Sequence, residues 1–187
     1  MAYLTGSELK NLGFLSLGEN VKISEKASIY DPELIEIGDY SRIDDFCVIS
    51  GKLKIGKFTH ITPMCLLAGG DYGIEMSDFV TFAYGVKVFS QTDDYSGESL
   101  TNSTIPNKYK KEIKLKNIIQ SHVIIGANSV IMPGVKLKEG TAIGSMSLVK
   151  ESTEAWTIYV GSPARVLRKR KKKIKKLEKE FIKEFFR

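Results

Sequence analysis

Aliphatic side chains recur at every sixth position along most of this chain. The two long runs are Ile37, Ile43, Ile49, Ile55, Ile61 and Leu67, and Ile119, Ile125, Ile131, Leu137, Ile143 and Val149. Shorter runs are Leu17, Ile23 and Ile29, and Met76, Phe82 and Val88. This period fits neither an α-helix, at about 3.6 residues per turn, nor a strand that alternates about every 2 residues. It fits a chain that forms a short strand, turns a corner and repeats, three such sides closing one triangular coil of 18 residues.

A second position in each hexad carries a small or β-branched residue. Examples four residues after the aliphatic one are Ser41, Cys47, Thr59, Cys65, Ser129, Thr141 and Ser147. Only a small side chain fits beside the corner of a narrow prism whose coils stack at roughly 4.8 Å. Glycine directly follows the aliphatic residue at Gly38, Gly56, Gly126 and Gly144, where we expect tight backbone. The pattern predicts an all-β parallel β-helix of hexapeptide repeats over residues 17–165.

Both ends of the chain depart from the hexad. Thr5 and Glu8 have the spacing of a capping box, which predicts a short helix in an N-terminal cap over residues 1–16. The apolar residues of the C-terminal segment recur at spacings of 3, 4 and 4, namely Ile174, Leu177, Phe181 and Phe185. They predict a basic amphipathic C-terminal α-helix over residues 166–187. It could pack on the prism or a neighbouring subunit, or bind a membrane surface or polyanion.

The middle of the chain also breaks the period, over an extended loop at about residues 94–115. This segment is rich in Ser, Thr, Asn and Lys and contains Pro106. A long loop inside a tight repeat is usually functional. We therefore expect the loop to contribute to a binding site.

Charge and composition exclude several classes of protein. Residues 165–187 hold 12 Lys and Arg against 3 Glu, whereas the rest of the chain holds 16 basic and 19 acidic residues. The basic charge belongs to the tail, so we expect no nucleic-acid-binding face. No apolar run reaches about 18 residues, so we expect no integral membrane segment. No secretory signal is visible at the N-terminus, and we expect a cytoplasmic protein.

The two cysteines and two histidines indicate neither a disulfide framework nor a metal site. Cys47 and Cys65 occupy inward positions 18 residues apart, so they should stack in adjacent coils as core residues and not as nucleophiles. His60 and His122 lie too far apart in sequence for a zinc site within one chain, and we expect no metal.

Longer motifs resemble a known family. The segment IIGANSVIMPGVKLKEGTAIGSMSLVKE followed by VGSPARVLR is similar to the C-terminal signature of the maltose and galactoside acetyltransferase branch of the hexapeptide-repeat acyltransferases. RIDDFCVISG, DDYSG and TNSTIPNKY resemble the amino-sugar N-acetyltransferases of O-antigen synthesis. The likeness covers about residues 15–168 and implies a left-handed coil and a homotrimer with sites between subunits. It also implies acetyl-CoA as donor and a nucleotide-linked amino sugar as acceptor, dTDP-4-amino-4,6-dideoxyglucose being the best guess. An O-acetyltransferase of a sugar or galactoside hydroxyl is the alternative.

Acetyl transfer to an amine needs a base, a donor for the developing oxyanion, and the two substrates held together. Histidine suits the base best near neutral pH. We expect His60 to act as the catalytic base, with His122 as the alternative. The related branch has its catalytic histidine where this chain enters the loop with Gln91–Asp94, so that role does not carry over. We expect the loop to bind the sugar through Asp93, Asp94 and Tyr95.

The resemblance also implies that coenzyme A lies along the C-terminal coils, between two subunits. Backbone groups near Ala127, Gly144 and Ser145 are candidates for the pantetheine arm, and Ser162 and Pro163 belong to the turn beside the adenine. Lys150, Arg165 and Arg168 are candidates for the phosphates, which a guanidinium fork binds well.

Overall fold

The computed structural model describes residues 2–186 and consists mainly of short parallel strands stacked in three sheets. Face one holds β1 (Ser16–Leu17), β4 (Ile35–Ile37), β7 (Leu53–Ile55), β10 (Ile74–Met76), β15 (Asn117–Ile119) and β18 (Lys136–Leu137). Face two holds β2 (Lys22–Ile23), β5 (Arg42–Ile43), β8 (His60–Ile61), β11 (Thr81–Phe82), β16 (Ile124–Ile125), β19 (Ala142–Ile143), β21 (Thr157–Val160) and β22 (Arg165–Lys169). Face three holds β3 (Ser28–Ile29), β6 (Val48–Ser50), β9 (Leu66–Ala68), β12 (Lys87–Phe89), β17 (Val130–Ile131) and β20 (Leu148–Val149). The predicted all-β parallel β-helix is confirmed.

Strand register follows the 18-residue coil and shows where the chain departs from it. Arg42 pairs with His60, one coil of 18 residues away. His60 then pairs with Thr81, because the segment 69–73 adds three residues at a corner. Thr81 pairs with Ile124, because the extended loop leaves between these two coils. Insertions therefore lie at corners, and the stacked strands stay in register.

The interior is filled as the hexad predicts. The inward aliphatic residues of the three faces are buried, and Phe82 is the largest of the fully buried side chains. Small polar corner residues bond to the neighbouring backbone, since Ser41 Oγ donates to the carbonyl of Gly56 at 2.8 Å. An ideal Cβ on Gly38 would lie 2.7 Å from the backbone nitrogen of Lys57 in the next coil. The glycines after the inward aliphatic residues thus keep adjacent coils in close contact.

Both cysteines lie in this core. Cys47 and Cys65 are buried, and their Sγ atoms donate to the carbonyls of Thr62 at 3.1 Å and Ala83 at 3.3 Å. The hydrogen bond with Cys65, together with burial, raises the pKa of Cys47 far above its usual range. The expected structural role of the two thiols agrees with this environment.

The N-terminal cap covers the first coil. Helix α1 (Gly6–Asn11) begins after Thr5, and the capping box between Thr5 and Glu8 is present. Leu9 of this helix is buried against the core. The backbone N–H of Leu4 donates to the carbonyl of Ile23 at 2.9 Å, which ties the cap to face two. Met1, within the predicted cap, lies outside the described residues.

The C-terminal segment differs from the prediction of a helix from residue 166 onward. Residues 165–169 form β22, which turns back and pairs antiparallel with β21, and helix α2 (Ile174–Phe185) begins only after it. The physical reason is that the outer edge of β21 needs a hydrogen-bonding partner, which the returning chain supplies. The last coil is closed on the other two faces as well. The N–H of Thr153 donates to the carbonyl of Lys136 at 3.0 Å, and that of Ala164 to the carbonyl of Leu148 at 2.8 Å. Arg187, the end of the predicted helix, lies outside the described residues.

The corner between faces one and two carries an aromatic column with left-handed backbone at each member. It consists of Tyr40, Phe58, Phe79, His122 and Trp156. Neighbouring ring centroids lie 5.1, 5.0, 5.5 and 6.1 Å apart along it. Helix α2 lays the edges of its own aromatic rings on this column, with Phe181 5.3 Å from Phe58 and Phe185 4.9 Å from Tyr40. Helix α2 therefore packs on the prism of its own chain, one of the two packing alternatives.

Candidate active site

His60 lies on face two beside a buried carboxylate. Its side chain is 38% exposed, and Nε2 lies 2.9 Å from Oδ2 of Asp44, whose side chain is only 3% exposed. Arg42 holds the same carboxylate, with Nε 2.6 Å from Oδ1 and Nη2 3.2 Å from Oδ2. Burial alone would raise the pKa of Asp44, but the hydrogen bonds from Arg42 and His60 outweigh it and hold that pKa below its ordinary value. Asp44 is therefore an ionised acceptor behind an accessible imidazole.

His122 has a different environment. Its side chain is 7% exposed, Nε2 lies 3.0 Å from Oε2 of Glu178 on α2, and its ring stacks on Phe79. Arg170, which lies just before α2, donates a hydrogen bond from Nη1 to the backbone carbonyl of His122 at 2.7 Å. A cavity of about 380 Å³ lies alongside, lined by this histidine and by residues of α2. The two candidate bases are thus far from equivalent, because the C-terminal helix covers only His122.

Several residues that were predicted to bind coenzyme A lie at the corner between faces two and three. Ala127, Gly144 and Ser145 follow β16 and β19 directly at this corner. Gly144 and Ser145 belong to the third coil after that of His60, roughly 14 Å along the axis at about 4.8 Å per coil. His60 lies at the start of its strand on face two, and these backbone positions lie just past the far end of the equivalent strands.

Sequence reasoning missed the side chains exposed along this corner. Four large apolar residues, each at least half exposed, lie along it, namely Phe46, Met64, Tyr84 and Met146, with Asn128 between the last two. A signal was available, since three of them come directly before a small inward residue: Cys47, Cys65 or Ser147. An exposed apolar strip along one edge is typical of a surface that contacts a ligand or another chain.

The predicted phosphate-binding residues lie at the end of the prism. Lys150 and Arg165 line one cleft of about 230 Å³ together with Tyr159. Ser162 and Pro163 belong to the turn between β21 and β22. Arg168 lies further along β22, in register with Ile158, and its side chain is exposed. The structure groups Lys150 with Arg165 and does not place Arg168 in the same cleft.

The predicted sugar-binding residues sit in the extended loop. The loop begins with β13 (Gln91–Thr92), which pairs antiparallel with β14 (Ile113–Lys114), at the corner between faces three and one. Asp94 accepts hydrogen bonds from the N–H of Ser96 and from Ser99 Oγ, both at 2.9 Å, and the Ser96 bond contributes most to lowering its pKa. Asp93 accepts a hydrogen bond from the backbone of the loop, and Tyr95 is 89% exposed. Within one chain the loop therefore leaves from the corner opposite face two, which carries His60.

Residues 2–186 contain neither a cluster of metal ligands nor a membrane-spanning helix. No group of three or more His, Cys, Asp and Glu side chains is arranged to hold a metal ion. No helix there is long and apolar enough to span a bilayer.

Relatives identify the family, although no protein-family model matches the sequence. The chain is 42% identical over 184 residues to dTDP-4-amino-4,6-dideoxy-D-glucose acyltransferase of Escherichia coli, which covers 97% of this chain and 95% of the relative. This chain belongs to the same acyltransferase family. The crystal structure of AntD, an N-acyltransferase from Bacillus cereus, in complex with dTDP and 3-hydroxybutyryl-CoA superposes with a TM-score of 0.97 at 50% identity, covering 99% of this chain and 98% of AntD. A mutant of AntD in complex with dTDP-4-amino-4,6-dideoxyglucose and coenzyme A gives a TM-score of 0.97 at 51% identity, covering 98% of each chain.

The comparisons decide the class of protein. The predicted hexapeptide-repeat fold is confirmed, since the chain also superposes with a TM-score of 0.59 at 20% identity on a hexapeptide-repeat acetyltransferase from Vibrio cholerae, covering 88% of this chain and 78% of that one. The chain is an enzyme of the acyltransferase class.

Proposed function

We propose that this enzyme transfers an acyl group from an acyl-CoA to the 4-amino group of dTDP-4-amino-4,6-dideoxyglucose. The observation that carries the proposal is the full-length likeness to AntD, whose structures hold dTDP, this amino sugar nucleotide and coenzyme A or its 3-hydroxybutyryl thioester. The relative of Escherichia coli carries the same substrate in its name. Acetyl-CoA is the donor that the sequence favours, and 3-hydroxybutyryl-CoA is the rival donor to be tested.

The proposed reaction is direct attack in a ternary complex. The nitrogen of the neutral amine attacks the thioester carbonyl, a C–N bond forms, and the nitrogen gives one proton to His60. The C–S bond then breaks, and the sulfur of coenzyme A takes that proton, so the products are the amide and the free thiol. His60 is favoured over His122 because its imidazole is accessible, whereas that of His122 is covered by α2. The buried cysteines give no support to an acyl-enzyme.

Several groups of the chain are suited to binding the acyl-CoA donor. Lys150 and Arg165, in one cleft, supply positive charge for phosphates. Backbone groups beside Ala127, Gly144 and Ser145 can receive the pantetheine arm along the corner. The turn with Ser162 and Pro163 and the exposed Arg168 can meet the nucleotide end. In this arrangement the thioester lies toward His60.

A homotrimer is part of the proposal. The exposed apolar corner with Phe46, Met64 and Tyr84 is better suited to a neighbouring chain than to water. The loop with Asp93 and Asp94 projects from the corner between faces three and one, so a neighbour's loop can reach face two, which carries His60. Sedimentation of the active enzyme should give a trimer, and full activity from a monomer would refute an intersubunit site.

A role in O-antigen or surface polysaccharide synthesis, in the cytoplasm, belongs to the same proposal. Its support is the nucleotide-sugar chemistry of the relatives and the free state of Cys47 and Cys65, which fits a reducing compartment.

The test compares acceptors and donors with purified enzyme. Release of coenzyme A is measured with dTDP-4-amino-4,6-dideoxyglucose and with its 4-hydroxyl analogue, using acetyl-CoA and 3-hydroxybutyryl-CoA in turn. We expect turnover with the amine and little with the hydroxyl. A preference for the hydroxyl analogue would make the enzyme an O-acyltransferase.

The catalytic part is tested by His60→Ala. We expect kcat to fall at least ~100-fold, as general-base contributions predict. Near-normal turnover would remove His60 from the mechanism. Asp93→Asn and Asp94→Asn should instead raise KM for the sugar nucleotide.

A further inference from the structure

The carboxylate behind His60 stands at a place where the fold needs none. Residues in the same position of successive coils on face two are Ser24, Asp44, Thr62, Ala83, Gly126 and Gly144. Every other member is small or neutral, and the coil closes equally well around each of them. A carboxylate that is 3% exposed carries a large desolvation cost unless it is paired. The aspartate at this position therefore has a use beyond packing.

The donors around Asp44 show what that use is. Arg42 binds both carboxylate oxygens on the strand side, at 2.6 and 3.2 Å, and Tyr3 Oη lies 3.4 Å from Oδ1. His60 Nε2, 2.9 Å from Oδ2, is the contact that faces the open surface of the prism. Arg42 and Tyr3 thus fix the carboxylate, and the fixed carboxylate in turn orients the imidazole.

We propose that Asp44 is the positioning residue of His60 and selects its tautomer. An ionised carboxylate can only accept hydrogen bonds, so the ring must carry its proton on Nε2. The lone pair is then on Nδ1, to which no hydrogen bond is made within residues 2–186, and Nδ1 becomes the atom that accepts the proton of the attacking amine. The inference rests on the proposed role of His60 as base and adds which nitrogen acts and what holds it.

The test is Asp44→Asn, which keeps the shape and removes the charge that selects the tautomer. An asparagine can donate to Nε2 as well as accept from it, so both tautomers become possible. We expect kcat to fall at least ~100-fold, because the wrong tautomer cannot act as base, with KM for both substrates within about threefold. Asp45→Asn is the matched control, since Asp45 bonds Ser24 and Lys26 and makes no contact with His60. The control should keep kcat within about twofold.

A second readout follows the ring itself. Nitrogen-15 NMR of the histidine side chains should show His60 protonated at Nε2 in the parent enzyme at pH 8, and a mixture of tautomers in Asp44→Asn. A structural role alone would lower the melting temperature without moving these signals. Should Asp44→Asn fail to fold, Asp44→Thr repeats the experiment with the residue type that Thr62 supplies one coil later.

The double variant separates this inference from the proposed function. Combined with His60→Ala, Asp44→Asn should cost no further activity, because Asp44 acts only through the ring. Normal kcat and an unchanged tautomer in Asp44→Asn would overturn the positioning role even if His60→Ala is inactive. Normal kcat in His60→Ala would instead overturn the assignment of the base.

Discussion

Replacing His122 with asparagine would separate a structural histidine from a catalytic one. Position 122 has a φ of 62°, a left-handed backbone that asparagine tolerates and most other residues do not. His122→Asn therefore removes the imidazole without straining the corner. Since α2 covers this ring, we expect a loss of stability and little loss of turnover.

The size of that loss follows from two contacts. A buried hydrogen bond to a carboxylate contributes about 1.5–3 kcal/mol to the free energy of unfolding. The contribution here is about 1 kcal/mol, because the Glu178 side chain is 32% exposed and solvent weakens the interaction. Stacking on Phe79, at 5.5 Å between centroids, adds roughly 0.5–1.5 kcal/mol. A total near 2 kcal/mol lowers Tm by about 4–8 °C in a chain of this size.

The assay measures both quantities on the same preparation. Thermal unfolding is followed at one protein concentration, because association shifts Tm, and kcat is measured well below Tm. Glu178→Gln serves as control, since it keeps the imidazole and removes only the charge of its partner. A fall in kcat of ~100-fold with an unchanged Tm would show that His122 is the base, and the reasoning from its burial would be wrong.

Three further outcomes test the fold and its electrostatics. Gly38→Ala should lower Tm by several degrees, because its Cβ would lie 2.7 Å from a backbone nitrogen of the next coil. Gly6→Ala is the control and should leave Tm unchanged, because its Cβ meets nothing within 4 Å. Equal Tm values for the two variants would contradict the packing. Cys47 and Cys65 should react with a thiol reagent only in denaturant, and rapid labelling of the native enzyme would contradict their burial. The pKa of Asp44 is lower in the folded state than in the unfolded chain. At pH values above the ordinary aspartate pKa, the ionised carboxylate therefore stabilises the fold, and this stabilisation is lost as the pH falls through the lowered pKa. Urea unfolding of the parent and Asp44→Asn between pH 7 and 3 should show their difference shrinking below about pH 4, and a constant difference would refute the linkage.

The fold could be predicted from sequence because each hexad repeats the same packing problem. Ile37, Ile43 and Ile49 are buried at successive sides of one coil, as their spacing requires. The capping box between Thr5 and Glu8 is a local signal and needs no tertiary information. Periodic and local interactions of this kind are written directly in the order of residues.

Contacts between distant elements were harder to predict. Residues 165–169 have no hexad, and only the free edge of β21 explains why they form a strand and not the start of the helix. Asp44 and His60 lie 16 residues apart, and their pairing depends on the register of two neighbouring strands on face two. His122 lies on an outer corner of the prism, and the hexad pattern does not show that α2 returns to cover it.

Closure of the two ends has a consequence for how copies of this enzyme can meet. A stack of open coils would offer free N–H and C=O groups at both ends and could grow end to end into a filament. Here the amino-terminal cap occupies one end, and the returning strand β22, with Thr153 and Ala164, occupies the other. Lengthwise polymerisation is thereby blocked, and sideways contact along the flanks is the route left for assembly.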